Sequence, residues 1–180
     1  MSSTTTTCIP SEKITDMPIV KASLQDVAAI REVAYATWPH TFKEILEPEQ
    51  ISYMLEWMYS ESAIITSIND PKQSFWLFMH EGKAAGFAAI EHAYNGEKAT
   101  KLHKIYVLPE AQGLQIGKQL LELVINEARL QESERLILNV NRFNKAIAFY
   151  EHLGFHTVRE ETINIGEGYL MDDFVMEKAL

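Results

Sequence analysis

Residues 102–121 form the stretch LHKIYVLPEAQGLQIGKQLL. Its first half predicts a strand that stops at Pro109. The loop AQGLQIGK (111–118) follows, after which Leu120, Leu121, Val124, Ile125 and Ala128 recur at the spacing of an amphipathic helix. Glycines between a strand and a helix let the backbone approach a ligand, and the free N–H groups at the helix start form an anion site. Lys118 adds a positive charge, and a pyrophosphate would suit the place. A nucleotide P-loop is excluded: it needs four residues between its glycines and a Ser or Thr after its Lys, whereas three residues separate Gly113 from Gly117 and Gln119 follows Lys118.

Upstream, FWLFMH (75–80) and KAAGFAAIEHAY (83–94) are joined by Glu81-Gly82, and Asn95-Gly96 leads into KATKLHKIYVL (98–108). Both pairs are tight hairpin signals, so three antiparallel strands in sequence are expected. A Rossmann fingerprint, which needs three glycines after the first strand of a parallel unit, is thereby excluded too. Downstream come a buried-type strand RLILNV (135–140), a helix from Asn144 to Leu153 ended by Gly154, and two closing strands. Near the start, Pro18 to Ala22 reads as a short strand. Ser23 and Asp26 resemble a capping box, and Leu24, Val27, Ala28, Ile30 and Val33 then follow at helical spacing. This helix is expected to end near Trp38, because Pro39 disfavours the helical conformation before it. Pro48 suits the first turn of a second helix carrying Ile51, Met54, Leu55 and Met58, and a third helix is expected from Glu61 to Ile68. The polar, Thr-rich residues 1–16 read as a flexible tail. Residues 17–180 read as one α+β domain around a mostly antiparallel mixed sheet flanked by helices.

The 180 residues are 47% hydrophobic and 23% charged, as in globular proteins. Sixteen basic against twenty-five acidic residues leave a charge of −9. That disfavours nucleic acid and anionic membranes as partners and favours a small cationic one. Cys8 is the only cysteine, which excludes an internal disulfide and a cysteine-rich zinc site; no metal is expected. The N-terminus lacks a secretory pattern and no apolar stretch nears the roughly 20 residues of a membrane span, so a cytoplasmic protein is expected.

The strand, proline and Q/R-x-x-G-x-G/A loop, followed at the right separation by LILNVNRFNKAIAFYEHLGF (136–155), resemble the GNAT superfamily of N-acetyltransferases. Gln112, Gly113, Gln115 and Gly117 are the residues read onto the loop pattern. The resemblance implies acetyl-CoA as co-substrate, its pyrophosphate on Gln112, Gly113, Leu114, Gln115, Ile116, Gly117 and Lys118. It also implies that pantetheine pairs with the backbone of Ile105, Tyr106 and Val107, in a gap where this strand splays from the LILNV strand. A backbone N–H near Val107 would polarise the thioester carbonyl.

By the same resemblance, Tyr150 lies where the family has a tyrosine near the cofactor sulfur; a phenol, protonated at neutral pH, can protonate a thiolate. Asn144 reads both as a helix N-cap and as a cofactor contact. Asn139 and Asn141 are weaker cofactor candidates. His103 stands where relatives often carry a Glu that deprotonates the amine, and its ordinary pKa suits a base. His40, Glu44 and His92 are alternatives, as is the absence of a dedicated base.

The acceptor pocket implied by the resemblance is built from TWPHTFKEILEPEQISYMLEWMY (37–59) and NIGEGYLMDDF (164–174). Tyr35, Trp38, His40, Phe42, Tyr53, Trp57 and Met58 would wall it, and Glu44, Glu167, Asp172 and Asp173 would receive cations. These segments resemble the branch of bacterial spermidine/spermine N-acetyltransferases, which implies a polyamine or other small amine as acceptor. A protein N-terminus as acceptor, and a non-catalytic acyl-CoA sensor, are the alternatives; a homodimer is left open.

Overall fold

The meander expected over residues 75–108 forms the centre of a seven-stranded sheet in a computed structural model, which describes residues 18–180. The expected tail and Cys8 lie outside the described residues. The elements are β1 (Ile19–Lys21), α1 (Val27–Phe42), α2 (Pro48–Tyr59), α3 (Glu61–Asn69), β2 (Gln73–His80), β3 (Lys83–Glu91), β4 (Ala99–Val107), α4 (Ile116–Leu130), β5 (Arg135–Asn141), α5 (Ala146–His152), β6 (His156–Gly166) and β7 (Tyr169–Ala179). The strands lie in the order β1-β2-β3-β4-β5-β7-β6, and among the described residues β4 with β5 is the one parallel pair. No helix among the described residues is long and apolar enough to cross a membrane.

The period-2 alternation of the strands divides the core between two faces. On one, Ile30, Val33, Trp38, Ile51 and Leu55 of α1 and α2 pack on Phe75, Leu77, Phe87 and Ala89. On the other, Leu120, Leu121 and Val124 of α4 and Tyr150 of α5 pack on Trp76, Ala88, Ile90, Leu136 and Leu138. Ile125 is only half-buried.

Helix α1 departs from expectation. It runs through Pro39 to Phe42 instead of ending near Trp38. Trp38 and Phe42, one turn apart, are 2% and 5% exposed with ring centroids 4.5 Å apart. Their shared burial holds the last turn, while proline removes only the hydrogen bond to Tyr35. The capping box does form, with Asp26 accepting from Ser23 N at 2.8 Å, but it closes a 3₁₀ turn (Leu24–Asp26) ahead of α1. Helix α5 starts at Ala146, two residues later than expected.

One irregularity in the sheet positions the site. Ala89 pairs with Lys104 and Ile90 with Leu102, so His103 is the extra residue of a β-bulge. A bulge bends its strand. Beyond it β4 leaves β5: their pairing covers only Ala99–Leu102 against Arg135–Leu138. The free half of β4 rests on β3 at Gly86, where a Cβ would stand 2.7 Å from the Tyr106 carbonyl oxygen. Only glycine permits that approach.

Candidate active site

Residues 103–107 of β4, held on the other side by β3, and residues 139–141 of β5, held by β7, run on without pairing to each other, leaving a wedge whose facing backbone edges have no strand between them. Ile105 and Val107 face α4, and Tyr106 faces α1 and α2. At the wedge's α4 side lies the loop 112–115, exposed throughout, with Ile116 buried as its anchor. Gly117 has room beside it: a Cβ there would meet Val107 Cγ2 at 3.8 Å and Phe149 Cζ at 4.0 Å. Phe149, which no motif marks in the sequence, is exposed and borders the start of α4. Lys118 is half-exposed, with Glu122 at 3.9 Å.

Gln115 needs a correction. In the pattern Q/R-x-x-G-x-G/A, counted from Gln112, the central glycine falls on Gln115, so this chain departs from the pattern there. The backbone keeps the glycine conformation nonetheless: Gln115 has φ +59° and ψ +17°, left-handed. A side chain in that region costs about 1 kcal/mol. Gln115→Gly is therefore expected to raise stability by about 0.5–1 kcal/mol, or about 3 °C in Tm. A thermal melt showing an unchanged or lower Tm would count against this strain.

Tyr150 is 8% exposed and packs edge-on to Phe149 and Phe155 at 5.4 and 5.7 Å. Burial pushes its phenol well above the usual pKa, so it keeps its proton through the neutral range. The connection that delivers α5 is held by two asparagines. Asn141 Oδ1 accepts from Phe143 N at 3.0 Å, and Asn144 Oδ1 accepts from Ala146 N at 2.9 Å. Such side-chain turns fix the chain's exit from β5.

On the opposite face, His103 Nε2 lies 2.9 Å from Glu91 Oε2, with the His103 side chain 31% exposed. Partial burial lowers the imidazole pKa, and the neighbouring Lys104 and Lys101 charges act the same way against Glu91. His103 is therefore neutral at pH 7 and positioned by a carboxylate that the sequence reading did not single out. Tyr94 stands edge-on to it at 6.1 Å. His92 lies apart, 3.4 Å from Thr100 Oγ1.

Beside this pair is a polar cluster. The buried Lys101 donates to Asn139 Oδ1, and Asn139 Nδ2 donates to Glu161 Oε2 at 3.1 Å. Burial brings the Lys101 pKa down to about 8. Asn139, expected on the cofactor side, thus spends its side chain on the face away from α4, because it shares the pleat of Ile137 and not of Leu138. Asp173 is 7% exposed, and its Oδ1 is buried without a hydrogen-bond partner among the described residues. Burial raises its pKa. The Tyr106 pKa is raised first by burial and further by the Asp173 charge.

The two acceptor segments do meet: Tyr53 Oη donates to the Ile165 carbonyl at 2.7 Å and Gln50 Nε2 to the Leu170 carbonyl at 2.9 Å, tying the β6–β7 turn to α2. Gln50 was not anticipated. The expected wall is only partly present. Trp38 and Phe42 are core, His40 is exposed, Trp57 lies outside stacked on Tyr53, and Tyr35 turns to Arg31 and Glu56. The expected cation-receiving acids are separated. Glu44 is 73% exposed near Lys145, Asp172 accepts from Thr162 Oγ1 at 2.6 Å, and Asp173 points to the other face. Adjacent strand residues cannot share a face.

The chain matches a family model described as Acetyltransferase (GNAT) family over residues 27–155. It is 36% identical to a 5-NmdU N-acetyltransferase of Pseudomonas phage PaMx11, over 72% of this chain and 89% of the relative. It is 33% identical to the uncharacterized N-acetyltransferase YjgM of Escherichia coli (strain K12), over 50% of this chain and 55% of the relative. In fold it is similar to the PaiA N-acetyltransferase of Thermoplasma acidophilum, solved in complex with coenzyme A, with a TM-score of 0.76, 24% identity, and coverage of 90% and 98% of the two chains.

Proposed function

This chain belongs to the acetyltransferase (GNAT) family and is an N-acetyltransferase; we propose that its β4–β5 wedge is where an acetyl group passes from acetyl-CoA to the primary amine of a small molecule. The observation that carries this reading is the parting of the two strands beyond Leu102 and Leu138, next to the N-terminus of α4. The edge of residues 105–107 left free by β5 suits the amides of pantetheine, and the first-turn N–H groups of α4 with Lys118 suit a pyrophosphate. The acceptor approaches from the face of α1 and α2. Its nitrogen bonds to the acetyl carbon as the carbon–sulfur bond breaks. His103, neutral and held by Glu91, takes the amine proton; Tyr150, on the α5 side, gives its proton to the leaving sulfur. Acid and base thus stand on opposite sides of the wedge.

The polyamine reading asks for several carboxylates acting together. Of Glu44, Asp172 and Asp173, the one opposite the free end of β5 whose charge acts on Tyr106 is Asp173, and a single carboxylate suits the reacting amine itself more than a row of distant ammonium groups.

Thiol release from acetyl-CoA tests the reading, with spermidine, a monoamine, 5-NmdU (the compound in the phage relative's name) and a peptide with a free N-terminus as acceptors. Release with a small amine is expected. Release with the peptide alone would make the acceptor a protein N-terminus. No release, in protein that binds acetyl-CoA, would leave a binding module without transfer activity.

A further inference from the structure

We propose that the acceptor is an amino acid, an amine that also carries a carboxylate, and that Lys104 receives that carboxylate. This rests on the acceptor side assigned above and deepens it. The bulge at His103 turns Lys104 onto the face of α1 and α2, opposite Ala89. Its ammonium lies 5.4 Å from the centre of the Tyr59 ring. Tyr59 is 1% exposed and meets Trp38 and Tyr106 edge-on at 5.8 and 6.2 Å. Lys104 is thus set into the aromatic wall beside the free half of β4.

Its partners set Lys104 apart. Lys101 donates to Asn139, Arg142 pairs with Glu160, Arg135 pairs with Glu97 and Glu177, and Lys178 donates to the Leu153 carbonyl. Among the described residues no carboxylate lies within ion-pair distance of Lys104; the ring face of Tyr59 is its one electrostatic partner. Withdrawing an ammonium from water without a counter-charge is unfavourable, and an aromatic face offsets only part of the cost. Burial alone lowers its pKa to about 8, which still leaves it largely charged at pH 7. Such a residue is poised for an anion. Acting on Tyr106, the ring in edge contact with Tyr59, is the charge of Asp173, a buried carboxylate whose Oδ2 accepts from Asn139 Nδ2 at 3.5 Å and whose Oδ1 has no partner among the described residues.

A cation receiver and an anion receiver at two aromatic residues in mutual edge contact, Tyr59 and Tyr106, match a zwitterion. The amine goes toward Asp173 and His103, and the carboxylate toward Lys104. A polyamine would instead bring a second ammonium against Lys104, a like-charge contact in a poorly solvated place.

The test measures kcat/KM by thiol release for the twenty common amino acids, their amides and spermidine, in the wild type, Lys104→Met and Lys104→Arg. At least one amino acid is expected to exceed its own amide by about tenfold or more in the wild type. The preference should collapse toward one in Lys104→Met and persist in Lys104→Arg. An amide as good as its acid, spermidine preferred over every amino acid, or an acid preference undiminished in folded Lys104→Met would overturn the proposal while leaving N-acetyl transfer standing. The wild-type comparison decides even where Lys104→Met does not fold. No release with any amine would instead remove the transfer reading on which the proposal rests.

Discussion

Gly117→Val is expected to leave the protein folded and to weaken acetyl-CoA binding by about a hundredfold or more, equivalent to about 2.7 kcal/mol. The two effects separate because of where the glycine sits. Gly117 is in the first turn of α4 with ordinary helical geometry, and a Cβ there would find only van der Waals neighbours, Val107 Cγ2 at 3.8 Å and Phe149 Cζ at 4.0 Å. Helix propensity adds no folding cost, because valine is slightly more favourable than glycine in a helix. The ligand meets a different situation. The first turn of a helix offers its unpaired N–H groups to an anion only while nothing stands over them, and a branched side chain does stand over them. Gly113 is the weaker place to ask the question. Its φ of +88° strains any other residue, so loss of binding there would not distinguish a blocked site from a disturbed loop. Calorimetry with acetyl-CoA, alongside a thermal melt, decides the matter. Wild-type affinity in folded Gly117→Val would move the pyrophosphate elsewhere.

The second large effect is expected at Tyr150→Phe, with turnover falling about a hundredfold and acetyl-CoA affinity nearly unchanged. The ring stays between Phe149 and Phe155. Only the hydroxyl is lost, and with it the proton for the leaving sulfur. Because burial holds the phenol pKa above its ordinary value near 10, Tyr150 stays protonated from pH 6 to 9, and the loss should be uniform over that range. Single-turnover rates measure this step apart from product release. An unchanged rate would make Tyr150 a packing residue.

Much of this architecture is legible in the sequence because it is periodic or punctuated. The hairpin signals at Glu81-Gly82 and Asn95-Gly96, the alternation of β2 to β4 and the 3.6-residue stripe of α4 act over a few residues, and each formed where expected. The glycine loop, with the 136–155 block behind it, was sufficient to indicate the family. Local signals failed where a distant contact outweighed them. Pro39 was read as a stop, but the burial of Trp38 and Phe42 carried α1 past it.

The site divides along the same line. Tyr150 and the loop 112–118 stand out in the sequence because a motif carries them. Glu91 behind His103, the Lys101–Asn139–Glu161 cluster, the separation of Asp172 from Asp173 and the lone charge of Lys104 were decided by tertiary structure alone. One extra residue at His103 places Lys104 on the face of α1 and α2, at the point where the pairing of β4 with β5 ends. A single-residue shift of register reverses which side chains face which way, and register is set by the packing of whole strands against both helical layers. Composition and spacing determine which elements form. Which residues of different strands meet in the wedge depends on contacts between segments far apart in the chain, and those exist only once the sheet has assembled.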